Sequence, residues 1–312
     1  MFAESTGRIN ESLPAVWGGP DMDSNNSTES PDLCKDISFV ESSFAVCGGS
    51  VSDPIRFRVL GPMEVRRGES WRTVAQGRGR VVLGLLLTHR SEVVTANRMI
   101  GECWTVPPES AESLVRRHVM KLRRILPDGA LLTRCGGYLL DADAEEVDCA
   151  MFECLLHAGR EKLAEGRADE AERELARALT LWSGPGFTGI HDSPVLEAER
   201  FRLAELRMLA VTSWVRAVMA QERYHEAAAA VRRILAGHPL NEGLWEQLMA
   251  SLYLAGRRAE ALGEFQNLRN RLVAAAGMEP GCRVQRLQQA MLDDDLEEIL
   301  RLGNVEGRGS HR

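Results

Sequence analysis

Between residues 55 and 141 the apolar positions change period several times. IRFRVLGPMEV (55–65) alternates and predicts a strand, a Gly-Pro turn and a second strand; WRTVA (71–75) predicts a third. GRGRVVLGLLLTHR (77–90) takes up the 3.6-residue period of a helix. Thr95 then stands where an N-cap is needed for a second helix, ANRMIGECW, with apolar Met99, Ile100 and Trp104. Pro107-Pro108 breaks the chain, Ser110 is placed to cap a third helix, and Pro127-Asp128-Gly129 ends it. LLTRCGGYLLD (131–141) predicts a hairpin with Gly136-Gly137 at or near its turn. The expected order is three strands, three helices and a hairpin.

From about Asp148 onward the period stays helical. VDCAMFECLLHAGREKLAEG, ADEAERELARALTLW, SPVLEAERFRLAELRMLAVTSWVRAVMAQER, YHEAAAAVRRILAGH, NEGLWEQLMASLYLAG and RRAEALGEFQNLRNRLVAAAG each carry an amphipathic stripe. Arg-x-x-Glu-Ala recurs at 167–171, 223–227 and 257–261, and the last two copies are 34 residues apart, the spacing of tetratricopeptide helical hairpins. Small Ala171, Ala227 and Ala261 would let paired helices approach closely. Trp182, Trp214 and Trp245 lie within the stripes and are expected to pack in the core rather than line a ligand cage.

Charge divides the chain further. Net charge is −7, yet residues 55–141 hold fifteen Arg/Lys against eight Asp/Glu. Only that third is suited to a polyanion. Residues 1–54 are acidic and rich in Ser, Asn, Gly and Asp without a sustained period, and are expected to be disordered; a translation start near Val51 is the alternative. Seven scattered cysteines without a CxxC pair fit free thiols in a reducing cytoplasm. MFAESTGRIN has neither the basic nor the apolar region of a signal peptide, and the longest apolar run, VVLGLLL (81–87), is too short to cross a bilayer.

The candidate chemistry lies in the third helix. At about 100° per residue, Val115, Val119, Leu122 and Leu126 share a narrow arc that faces a core. The opposite arc holds Ser113, Arg116, Arg117, Met120, Lys121 and Arg124, with Arg123 at its flank. An α-helix fits the major groove of B-DNA, where arginine makes bidentate bonds to guanine and rim cations neutralise phosphates. Arg116, Arg117 and Met120 are therefore assigned to base edges. Lys121, Arg123 and Arg124 are assigned to phosphates, together with Arg134 before the hairpin turn and Arg78 and Arg80 at the start of the first helix. A basic helix followed at once by a Gly-Gly hairpin is how a winged helix addresses DNA; on an ordinary helix the same charges would be a solvated face.

These residues also carry a family likeness. IRFRVLGPMEV, the helix after GRGR, RMIGECW, VMKLRRIL and TRCGGYLL resemble the winged helix of response-regulator effector domains. With FECLLHAGREKL, LTLWSGPGF, HPLNEGLWEQLMASLYLAGRRAEALGEFQNLRNRL and GMEPG, the stretch 55–293 resembles the Streptomyces antibiotic regulatory protein family, its downstream part the bacterial transcriptional activation domain. The resemblance implies a mainly α, multidomain protein. Its parts would be an extension over 1–54, a winged helix-turn-helix domain over 55–143, an all-α tetratricopeptide-like domain over 144–293 and a tail over 294–312. It implies a cytoplasmic activator of an antibiotic or other specialised-metabolite gene cluster. Such a protein binds direct repeats in double-stranded promoter DNA near the −35 region as paired protomers and recruits RNA polymerase holoenzyme. Arg116-Arg117-His118 departs from the uncharged polar or aromatic residues common there, so operator sequence does not transfer.

A repressor with the same DNA-binding part, or a helical-repeat adaptor that binds only proteins, are the alternatives. No catalytic constellation, cofactor or metal is expected. Cys149, Cys154 and His157 are spread too widely around one helix to begin a tetrahedral site, and the chain contains no GxxxxGK[ST] phosphate loop.

Overall fold

A computed structural model describes residues 55–190 and 193–303; the expectation for residues 1–54 lies outside them. The fold is mainly helical with two small antiparallel sheets in its N-terminal part. β1 (Phe57–Arg58), β2 (Glu64–Arg67) and β3 (Ser70–Thr73) form the first sheet in that order, with Val65 opposite both Phe57 and Arg72. Helix α1 (Arg78–Thr88) follows and is buried from Arg80 to Leu87, which makes it the central rod of this part. A short strand that the hydrophobic pattern does not predict, β4 (Val94–Thr95), leads into α2 (Ala96–Cys103). The amide of Arg98 donates to the Thr95 hydroxyl, so the expected cap forms. Then come α3 (Ala111–Arg123), β5 (Leu131–Arg134) and β6 (Gly137–Leu140), and β4 completes the second sheet by pairing with β6. Ser110 occupies the N-cap position of α3 but its hydroxyl caps nothing; instead the Ser113 hydroxyl donates to the Ser110 carbonyl.

The remaining helices are α4 (Asp148–Ala164), α5 (Ala168–Thr180), α6 (Pro194–Ala220), α7 (Tyr224–Gly237), α8 (Glu242–Leu254), α9 (Arg258–Ala276), α10 (Cys282–Leu292) and α11 (Leu296–Leu302). The Arg-x-x-Glu-Ala repeat has a structural reason. Gly166, Glu222 and Gly256 each adopt a left-handed conformation after α4, α6 and α8. The amide of the next residue, Arg167, Arg223 or Arg257, donates back across the turn to Lys162, Val218 or Leu252, the bonding of a Schellman end. Each arginine also stands at the N-cap of the following helix and pairs with the glutamate three residues on. The alanine beyond it is fully buried in the helix contact. α11 lies in the stretch assigned to a tail; Ile299 and Leu302 are buried, so the packed chain continues through it. Among the described residues no helix is long and apolar enough to cross a membrane.

The buried apolar residues form one connected cluster from Phe57 to Leu302. The junction near residue 144 is accordingly a strap rather than a loose linker. Val147 bridges to Phe57, and both carboxylate oxygens of Asp148, at the start of α4, accept the Val59 amide at 2.9 Å. The Leu60 amide donates to the same carboxylate at 3.0 Å. Burial pushes the Asp148 carboxyl up to about 7 against the pull of these amides. On the other side of this strand end, the amides of Ser183 and Phe187 donate to the Leu60 and Val59 carbonyls. A Cβ on Gly61 would lie 2.1 Å from the Ser183 hydroxyl and 3.1 Å from the Gly184 nitrogen, so glycine lets this strand end approach the loop closely.

Candidate nucleic-acid interface

α3 is held from behind by Val115, Val119 and Leu122, all buried, and Leu126 seals the turn that follows. That leaves Arg116, Arg117, Met120, Lys121 and Arg124 on the exposed side. Arg117, Lys121, Arg124 and Arg134 have no side-chain hydrogen bond or ion pair among the described residues. Met120 is 60% exposed, a large apolar side chain left in water between arginines. Arg116 differs: its guanidinium pairs with Glu112 one turn back, on the open surface. An exposed pair of that kind is screened by water, so it does not hold Arg116 against a stronger partner.

Two arginines pin the C-terminal end of α3. Arg67 of β2 donates to the Arg124 carbonyl and pairs with Asp128 at 3.5 Å, satisfying the C-terminal end of the helix. Arg123, assigned to phosphate from its position on the wheel, uses Nε on the Leu131 carbonyl at 3.1 Å and Nη2 on the Thr133 hydroxyl at 2.7 Å. It is a strut that fixes the hairpin to the helix.

In the hairpin, Arg134 pairs with Gly137, so the turn residues are Cys135 and Gly136 rather than the two glycines. Gly136 takes the left-handed conformation, with φ 82°. Gly137 serves a different purpose. A Cβ there would sit 2.2 Å from the Val94 carbonyl, so glycine is what allows β4 to dock. The amide of Ala96 then donates to the Gly136 carbonyl, tying the start of α2 to the hairpin tip.

The assignment of Arg80 to phosphate is overturned. The side chain is 7% exposed, with Nε on the Val74 carbonyl at 2.8 Å and Nη1 on the Thr188 carbonyl at 2.9 Å. Gly189, at φ 80°, leaves the space its guanidinium occupies, since a Cβ there would lie 2.3 Å from Nη1. Arg80 joins α1 to the loop before α6. Arg80→Ala is expected to cost about 1–3 kcal/mol of stability by orphaning two carbonyls, while the salt dependence of DNA binding stays unchanged. Urea unfolding and DNA titration against salt read the two separately; a reduced salt slope would restore the phosphate role. Arg78 remains exposed, with Nε on the Cys103 carbonyl and its guanidinium over the Trp104 ring.

Two residues near this surface escape a reading of the wheel. Arg98 lies exposed on the first turn of α2, next to the hairpin tip, a proximity that the Thr95–Gly137 pairing and the Ala96–Gly136 bond reveal. His118 lies between the basic and buried arcs of α3, half-buried, facing Gly79 of α1.

Elsewhere, Trp182, Trp214 and Trp245 are buried, and Trp182 packs edge-on against Phe152 at 5.3 Å. Cys149 is buried, Cys154 exposed, and His157 pairs with Glu161. No group of three or more His, Cys, Asp or Glu among the described residues is placed to hold a metal.

A family model described as the bacterial transcriptional activator domain matches residues 147–292. The chain is 33% identical over 246 residues to the regulatory protein AfsR of Streptomyces coelicolor, covering 78% of this chain and 25% of AfsR. It is 30% identical over 253 residues to the regulatory protein DnrI of Streptomyces peucetius, covering 77% of this chain and 93% of DnrI. It thus spans about a quarter of AfsR and nearly all of DnrI. A solved structure of Mycobacterium tuberculosis EmbR, in complex with a low-affinity phosphopeptide, superposes with a TM-score of 0.74 at 27% identity. That match covers 80% of this chain and 68% of that one.

Proposed function

We propose that this chain, which belongs to the Streptomyces antibiotic regulatory protein family, is a transcriptional activator that reads promoter DNA with α3. Residues 55–143 act as a winged helix, with α3 in the major groove and the β5–β6 hairpin against the neighbouring backbone. The observation that carries this reading is the face of α3 itself. Arg117, Met120, Lys121 and Arg124 stand exposed, with no competing ion pair for the three cations, on a helix whose other side is wholly buried. Four unpaired or loosely paired cations on a rigid helix beside a basic hairpin are costly to leave together unless a polyanion neutralises them.

In this reading Arg116 and Arg117 bond guanine edges and Met120 meets a thymine methyl. Lys121, Arg124 and Arg134 neutralise phosphates, with Arg78 beside them and Arg98 added. The helices from α4 onward form the surface that engages RNA polymerase holoenzyme. Because the strap at Asp148, the Arg80 bridge and a shared core join the two parts, that surface is delivered at a set angle to the operator. Recruitment then works by raising the effective concentration of polymerase at a weak promoter. Paired protomers on direct repeats near the −35 region, and a specialised-metabolite gene cluster as the target, extend the same reading.

Selection of genomic fragments by the purified protein, with footprinting at two salt concentrations, tests it. Direct repeats about one helical turn apart upstream of a promoter are expected. Sequence-indifferent retention that disappears by ~200 mM salt would leave a generic basic face and bring forward the protein-adaptor alternative. Within the phosphate set, Arg124→Ala is expected to weaken binding equally on all sequences and to reduce the salt slope by about one unit. A slope equal to that of the unaltered protein would remove Arg124 from the contact.

A further inference from the structure

Among the described residues, the charged side chains that act on His118 are all of one sign. From its own helix come Arg117 and Lys121, and from α1 comes Arg78. α2, packed beside it, contributes the Cys103 carbonyl that fixes Arg78 in place. The ring is packed against the start of α1, its Nδ1 3.6 Å from where a Cβ on Gly79 would stand. Three guanidinium or ammonium groups therefore lie near enough to oppose a proton on the imidazole, and among the described residues no carboxylate offsets them. Partial burial, then Lys121, Arg78 and Arg117, hold its proton affinity below the ordinary 6.5.

We propose that His118 is a proton-linked phosphate contact: it becomes protonated as a DNA backbone phosphate docks against it, Arg78 and Lys121, so operator affinity rises as pH falls. The inference rests on the DNA-binding reading above and adds a regulatory property to it. The physical step is charge compensation. Free in solution, a fourth cation at this point is repelled by the other three. A docked phosphate cancels that repulsion and accepts a hydrogen bond from the imidazolium. Linkage is reciprocal, so whatever DNA does to the proton affinity of His118, a proton does to the affinity for DNA. The sign follows. The imidazole is neutral when free near pH 7 and charged when bound, so a proton is taken up and binding weakens with rising pH.

The test uses the full chain and a fluorescent duplex of about 30 base pairs that it has enriched from a random library, titrated between about pH 6 and about pH 8. The unaltered protein is expected to bind roughly tenfold more tightly at the acid end for each unit by which docking raises the pKa. His118→Gln should flatten the profile at the weak level, and His118→Arg should flatten it at the tight level. Calorimetry of the unaltered protein in two buffers of different ionisation enthalpy should register uptake of up to one proton, a readout that needs no variant to fold. A pH dependence retained in His118→Gln, or binding with no proton uptake, overturns this inference and leaves DNA recognition standing. Failure to enrich any duplex at any pH overturns the DNA-binding reading, and this inference with it.

Discussion

Replacing Asp148 by alanine is expected to destabilise the chain by about 2–5 kcal/mol. The loss arises because the amides of Val59 and Leu60, both fully buried, lose their acceptor, and each orphaned buried amide costs about 1–3 kcal/mol. Water entering the vacated space offsets part of this, which sets the lower figure. Asp148→Asn keeps one acceptor and should lose roughly half as much. The carboxyl also gives a distinctive pH dependence. Burial raises it from the ordinary 3.8 to about 7, so between those values the folded chain holds a proton that the unfolded chain has released. Its contribution to stability is therefore full at the acid end and falls as pH rises from about 4 to about 7. Urea unfolding over that range, with Asp148→Asn lacking this part of the slope, is the measurement. A midpoint within error of the unaltered protein would mean that the strap is dispensable. The consequence reaches the proposed mechanism, because the strap joins the sheet that supports α3 to the first helix of the polymerase-facing part.

Arg117→Ala is expected to cost about 1–3 kcal/mol on the enriched DNA sequence and to relax preference at one or two base pairs. On random DNA the loss should be smaller, since only a phosphate-range attraction is removed. Arg117 is the stronger of the two base-reading candidates because nothing among the described residues competes for its guanidinium. Arg116 must first release Glu112, its partner on the open surface. Enrichment of a randomised library by each variant, with affinities on the winning and scrambled duplexes, distinguishes reading from attraction. Equal losses on both duplexes would remove Arg117 from the base-reading set and place it with the phosphate contacts.

The wheel of α3 was legible because a short amphipathic helix is governed by interactions within one or two turns. Val115, Val119 and Leu122 have no partner except a core, and the arginines opposite them have nowhere else to point. The Arg-x-x-Glu-Ala repeat was legible for the same reason: turn, cap and ion pair all lie within five residues. β4 was not legible, since two residues paired with a strand more than forty positions away leave no period. Ser110 misled because a capping residue type does not guarantee capping geometry.

The amino-acid sequence by itself determined the helices up to α9, their buried faces, the hairpin and the concentration of positive charge in residues 55–141, but not α10 and α11. Tertiary structure alone decided what each cation does. Arg78, Arg80, Arg117 and Arg123 are equivalent in composition. One leans on an aromatic ring, one is buried on two carbonyls, one stands free and one braces a hairpin. The reason is range: amphipathic period and capping act within a few residues, whereas the partner of a long guanidinium is whatever carbonyl or ring the fold brings within reach, such as Thr188, 108 positions from Arg80.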